Sequence, residues 1–198
     1  MKWGTDYVGP NKDYKPWDYA TKWIGYKNGD HCKGKKECTD FNDGDEGAFY
    51  RKMKELGKIP VVYGYIIAFE ARNLWNLHDC NDPKYPNVWD QLCGRAAKFI
   101  RENRQYIVDR YKMHATKQAQ ILGKNATVVY LMEPDLFQYH DDKRQSGGGI
   151  TGEYAAALYE DICKGIKEQL PNVIISWDIS PWVRPIIIVI FINIIVKI

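Results

Sequence analysis

Apolar positions along the chain fall into alternating blocks of two kinds. Between Glu46 and Leu56, Phe49, Met53 and Leu56 recur at intervals of four and three, the spacing that lines one face of an α-helix. Gly57 supplies its stop. Ile59 to Ala68 is then a nearly continuous apolar run rich in β-branched and aromatic residues, which predicts a strand buried on both faces. A polar loop with two prolines follows over 73–87. Helical spacing returns from about Val88 to Leu122 with one break, Leu92, Ala96, Phe99, Ile100, Ile107 and Tyr111 lying along one side, and Gly123 ends it. Ala126 to Met132 predicts a second buried strand, Thr151 caps a helix running to about Leu170, and Val173–Trp177 predicts a third strand. Residues 1–45 carry turn signals at Gly9-Pro10, Asn28-Gly29-Asp30 and Asn42-Asp43-Gly44-Asp45, and read as long loops with one short strand near Ala20–Tyr26.

Helix, strand, helix, strand, helix, strand is the order of a parallel sheet with helical crossovers. The expected fold is therefore α/β with a parallel, (β/α)-barrel-like sheet. Three or four clear strands fall short of the eight of a complete barrel, so the barrel is expected to be incomplete. Residues 1–184 read as one such domain, its first 45 residues loop-rich. The last fourteen, 185–198, are almost pure Ile and Val without a turn signal; too short for a membrane helix, they read as a truncated or mis-joined end.

Charge removes one class of function. The 28 basic and 25 acidic side chains are scattered and sum to +3, which leaves no basic footprint for nucleic acid. Seven Trp and fourteen Tyr, many beside Gly, Pro or Asp rather than inside periodic runs, suit stacking on sugar faces, although core packing is the commoner role for any single ring. The four His show no zinc-protease spacing, and no metal or cofactor is expected. Ser146-Gly147-Gly148-Gly149 lacks the Lys-Ser/Thr of a phosphate-binding loop and reads as a flexible active-site loop. Two cysteine pairs at loop spacing and an Asn125-Ala126-Thr127 glycosylation sequon point to an extracellular protein, with no membrane segment and no secretion leader within Met1–Asp6.

In parallel α/β folds ligands lie beyond the carboxyl ends of the strands, so the polar residues after each apolar run are the ones to read. Carboxylates occur there three times: Glu70 after the first run, Glu133 and Asp135 after the second, and Asp178 after the third. Aromatics accompany them, with Tyr63 in the first strand, Tyr139 after the second, and Trp177 and Trp182 around the third. Glycoside hydrolysis needs two carboxyl groups in different protonation states, and crowding carboxylates at one mouth separates their pKa values. Capping a helix or pairing with Arg is an equally common fate for any one of them.

The stretch Val128-Val129-Tyr130-Leu131-Met132-Glu133-Pro134-Asp135 resembles the strand and Glu-Pro-Asp motif of glycoside hydrolase family 6. Leu170-Pro171-Asn172-Val173 with Trp177-Asp178 and Trp182 is similar to that family's next strand, and Pro60-Val61-Val62-Tyr63 to the start of an earlier one. The match spans about residues 58–184. It implies a distorted β/α barrel that cleaves β-1,4-glucan with inversion, Asp135 as general acid and Asp178 as a supporting carboxylate. The motif departs from the family after Tyr63, where Gly64–Phe69 intervenes, and after Asp178, where Ile179-Ser180-Pro181 stands in place of His-Ala-Gly.

Three functions are then open: a hydrolase of β-linked plant polysaccharide, a module that binds such a polysaccharide without cutting it, or a hydrolase fragment with no independent activity. Glu133, Asp135, Asp178 and Glu70 are expected to converge on one concave face, with Tyr63 and Trp177 alongside. Short separation favours local pairing of cysteines, so Cys32–Cys38 and Cys80–Cys93 are expected to be bridged with Cys163 free. Peptide mapping of a non-reduced digest checks the pairing; a bridge to Cys163 contradicts it.

Overall fold

A computed structural model describes residues 4–7, 9, 11–25, 40–140 and 144–177. Five parallel strands, β1 (Gly4–Asp6), β2 (Tyr19–Ile24), β3 (Ile59–Gly64), β4 (Val129–Met132) and β5 (Ile174–Trp177), lie side by side in the order in which they occur. Helix α1 (Ala48–Leu56) connects β2 to β3; α2 (Ile66–Trp75), α3 (Leu92–Glu102) and α4 (Arg104–Leu122) connect β3 to β4; α5 (Gly152–Gln169) connects β4 to β5. The chain is thus a mixed α/β protein built on an all-parallel sheet.

Local chemistry sets the helix ends. Gly57 adopts φ 61°, the left-handed backbone that lets it close α1: its N–H bonds to the Lys54 carbonyl, and the Lys58 N–H to that of Met53. Thr151 caps α5 by accepting from the Tyr154 N–H at 3.1 Å. Helices α3 and α4 are parted at Asn103, whose side chain donates to the Phe99 carbonyl. Asn125 is exposed in the turn before β4, at the amino end of that strand.

Crossovers between sequential parallel neighbours are right-handed, so each helix is laid on the same side of the sheet. Burial follows that rule. Ala20, Ile24, Val62, Tyr130 and Met132 are shut into the helix-covered core, and Ile175 packs against it half-buried. Across the sheet, Trp23, Tyr63, Leu131 and Ser176 share a row in register, and Val61, Val129 and Ile174 another. On this second face only Val61 is buried; Trp23 is 45% and Ile174 55% exposed. The core also holds polar groups in mutual satisfaction: Tyr130 donates to Gln118 (2.6 Å), Gln118 to Tyr50 (2.7 Å), and His114 meets Glu46 at 3.0 Å.

Two expectations need correction. The apolar run from Ile59 is not one strand to Ala68: β3 ends at Gly64 and α2 begins at Ile66. A side chain at Gly64 would meet the Tyr111 ring at 2.9 Å, so the strand ends under α4 where a Cβ does not fit. Glu70 consequently lies within α2 rather than at a strand end. Ser146–Gly149, expected to be a flexible active-site loop, is tied down by Arg101, whose guanidinium donates to the carbonyls of Ser146, Gly147, Gly148 and Gly149 at 2.9–3.3 Å.

Cys80 and Cys93 stand at disulfide distance, with Cα atoms 5.3 Å apart, and Cys163 is free; Cys32 and Cys38 lie outside the described residues, as does the tail 185–198. No helix among the described residues is long and apolar enough to cross a membrane. Removing the α5 cap with Thr151→Ala should cost about 1 kcal/mol of stability, measured by chemical denaturation. An unchanged midpoint would show that the cap hydrogen bond contributes nothing.

Candidate functional site

A cavity of about 480 Å³ opens beyond the carboxyl ends of β1 and β2 and the start of α2. Its walls are Asp6 and Tyr7, Thr21, Lys22 and Trp23, and Tyr65 and Phe69. Trp23 stands at its centre because alternation in β2 turns it to the half-exposed face, where register sets it opposite Tyr63. The two rings stack with centroids 5.0 Å apart, and Tyr65 meets Trp23 edge-on at 5.7 Å. Arg72 lies over the rings of Tyr65 and Phe69, 5.6 Å from each centroid. The Thr21 hydroxyl donates to Asp6, and Lys22 is paired with Asp45 at 2.7 Å.

Tyr65 joins this cavity to Asp135. Its hydroxyl donates to one oxygen of the Asp135 carboxyl, and Gln138 donates to the other at 2.6 Å. Asp135 remains half-exposed, with a hydrogen bond on each oxygen fixing its plane. Burial first, then the bond to Asp135 and its charge, raise the Tyr65 phenol far above its ordinary value, so it stays a donor.

Glu133 lies behind this pair with no exposed surface. Its backbone adopts φ 42°, rare for a residue with a branched-off side chain, and its N–H donates to the Gly64 carbonyl at 2.6 Å. Oε1 accepts from the Ile67 N–H at 2.8 Å and the Tyr111 hydroxyl at 2.5 Å, while Oε2 has no hydrogen-bond partner among the described residues. Burial is the dominant influence on its carboxyl and, helped by the charge of Asp135, pushes it up to about 8 against the lowering effect of the bonds from Ile67 and Tyr111.

Among the residues expected at the site, Glu133 and Asp135 are brought together through Tyr65 and the start of α2, and Tyr63 reaches the cavity through its stack on Trp23. Glu133 cannot touch a substrate, because it is completely enclosed. Two expected sugar contacts are corrected. Tyr139 is only 1% exposed, since the 3-10 turn Leu136–His140 turns its apolar side into the core. Glu70 is buried between α2 and α4, where it meets Arg110 at 3.2 Å and accepts from Tyr106 at 3.2 Å; burial raises its carboxyl against the opposing charge of Arg110. Trp177 is the last residue of β5, and Asp178 and Trp182 lie outside the described residues.

Asp6, Trp23 and Tyr65 were missed. Trp23 was within reach, because a strand near Ala20–Tyr26 was expected and its carboxyl end could have been read like the others. No three His, Cys, Asp or Glu side chains are grouped as metal ligands among the described residues. No protein-family model, curated protein or solved structure matches the chain.

The raised Glu133 carboxyl sets a direction for stability against pH. Below its ordinary value of 4.5 the group is protonated in both states; between 4.5 and about 8 the unfolded chain ionises while the folded chain keeps the proton. Glu133 therefore contributes stability that is full below 4.5 and lost as pH rises through about 8. The slope is at most about 1.4 kcal/mol per pH unit. Denaturation curves from pH 4.5 to 8 should show Glu133→Gln gaining on the parent across this window; parallel curves would contradict it.

Proposed function

We propose that the chain is a glycoside hydrolase acting on a β-linked plant polysaccharide, with Asp135 as the proton-transferring carboxyl. Asp135 carries this reading: a half-exposed carboxyl is held on both oxygens by Tyr65 and Gln138 beside an open cavity with an aromatic wall, at the strand ends where parallel α/β proteins bind ligands. Trp23, stacked on Tyr63, gives a flat apolar surface for a sugar ring. Asp135 then reaches the glycosidic oxygen and passes it a proton as the bond to the anomeric carbon breaks, and water completes the hydrolysis.

Other observations support the same reading. The Glu-Pro-Asp motif resembles glycoside hydrolase family 6, in which this Asp is the general acid. Sequential strand order without a reversal is the order of a barrel rather than of a doubly wound sheet, and we extend the parallel sheet to an incomplete β/α barrel whose half-exposed face is the inner one. Disulfide distance between Cys80 and Cys93 and the exposed Asn125 sequon fit a secreted protein. A non-catalytic glucan-binding role has one specific observation in its favour: the cavity wall is largely aromatic, and its one carboxylate, Asp6, is engaged by Thr21.

Asp135→Asn should lower reducing-sugar release from swollen cellulose or soluble β-1,4-glucan roughly 10²–10⁴-fold with little change in retention. Trp23→Ala should weaken retention about tenfold, or ~1.4 kcal/mol. A parent that retains glucan but releases no sugar favours the binding role, and one that does neither contradicts both.

A further inference from the structure

We infer that Glu133 is the positioning residue for Asp135, holding the first turn of α2 so that Tyr65 grips the Asp135 carboxyl. The inference rests on the hydrolase reading for its kinetic consequence, but not for its geometry.

The end of β4 would ordinarily send the side chain of its next residue out toward the mouth or along the strand. The positive φ of Glu133 instead folds its carboxyl under α2. A left-handed backbone at a residue other than glycine costs about 1–3 kcal/mol, and such outliers persist where the surroundings hold them and often where function uses them. Here three elements hold it. The Glu133 N–H is fastened to Gly64 at the end of β3, and Oε1 accepts both the Ile67 N–H of α2 and the Tyr111 hydroxyl of α4. Ile67 is one of the N–H groups that a helix leaves without an internal partner, and α2 has no side-chain cap at its own N-cap residue. That N-cap residue is Tyr65. The buried carboxyl thus does for α2 what a capping side chain would do, and the residue whose backbone it steadies is the one whose hydroxyl holds Asp135.

A neutral carboxylic acid suits this task better than a carboxylate. Around Glu133 stand Tyr111 of α4, Tyr65 with Arg72 of α2, Asp135 and Tyr139 after β4, and Tyr159 of α5, which donates to the Met132 carbonyl. Arg72 is the cation among them, and it lies over the rings of Tyr65 and Phe69. A second negative charge here would be buried and would repel that of Asp135. Kept protonated up to about pH 8, Glu133 accepts its two bonds through Oε1 without adding one.

Glutamine reproduces the neutral acid in shape and acceptor, whereas alanine does not, and this contrast separates positioning from proton transfer. Glu133→Ala should lower kcat on soluble β-1,4-glucan about 10²-fold, the loss that roughly 1 Å of misplacement produces, with KM little changed. Glu133→Gln should recover most of kcat and remove the fall in rate that ionisation of Glu133 causes near pH 8. A Gln variant as impaired as the Ala variant, or a folded Ala variant with parental kcat, overturns the inference. If alanine prevents folding, Tyr111→Phe, which removes one of the two donors, should give a smaller kcat loss, and an unaltered rate counts against it. Loss of hydrolysis in the parent is a failure of the hydrolase reading alone. In that case the Ile67 amide resonance decides: it should shift with a midpoint near pH 8 in the parent and stay fixed in Glu133→Gln. An amide that does not titrate in the parent overturns the inference independently of catalysis.

Discussion

A parallel sheet whose strands follow one another in chain order can be covered by its own crossovers on one face only, and this constraint governs the molecule. Right-handed connections put α1 to α5 on the side of Ala20, Val62, Tyr130 and Met132, so the apolar core is built there. The other face keeps large side chains in partial contact with solvent. Trp23 is exposed because of which side of β2 it occupies, and its stack on Tyr63 follows from the register between β2 and β3. The aromatic wall of the cavity is therefore a consequence of topology before it is a matter of ligand recognition.

Strand ends supply the other half of the site. At the carboxyl end of a parallel strand the backbone must turn back into a helix, and polar groups collect where the ladder stops. Gly64, Tyr65, Glu133 and Asp135 all lie within three residues of the ends of β3 and β4. The tight approach of Tyr111 to Gly64 brings α4 down onto this junction and delivers its hydroxyl to Glu133. Two neighbouring carboxyls thereby acquire different surroundings: Glu133 is sealed and neutral over most of the acid range, while Asp135 is half-exposed and held by two donors. Division of labour between them comes from burial, not from residue type.

Much of this was legible in the sequence. Helical spacing of Phe49, Met53 and Leu56, the stop at Gly57, the cap at Thr151 and the parallel order of elements depend on local chemistry that a single sequence carries. Ile59–Ala68 misled because an apolar run buried first as strand and then as helix has no polar positions to mark the change of period; only Gly64 signals it. Glu70 was misplaced with it, and its partner Arg110 is 40 positions away along the chain. β1 is three residues long, too short to show a period, so Asp6 stayed hidden. Asp135 was found by its motif, whereas the enclosure of Tyr139 and Glu133 depends on helices packed over them, which no local pattern records.

A structure of the chain with a β-1,4-linked glucose oligosaccharide bound is the most direct test of where the chemistry takes place. The expected result is a sugar ring lying flat on Trp23, with a glycosidic oxygen about 2.6–3.2 Å from a carboxyl oxygen of Asp135. An oligosaccharide bound away from this cavity, or bound on Trp23 with Asp135 out of reach of every glycosidic oxygen, would contradict it.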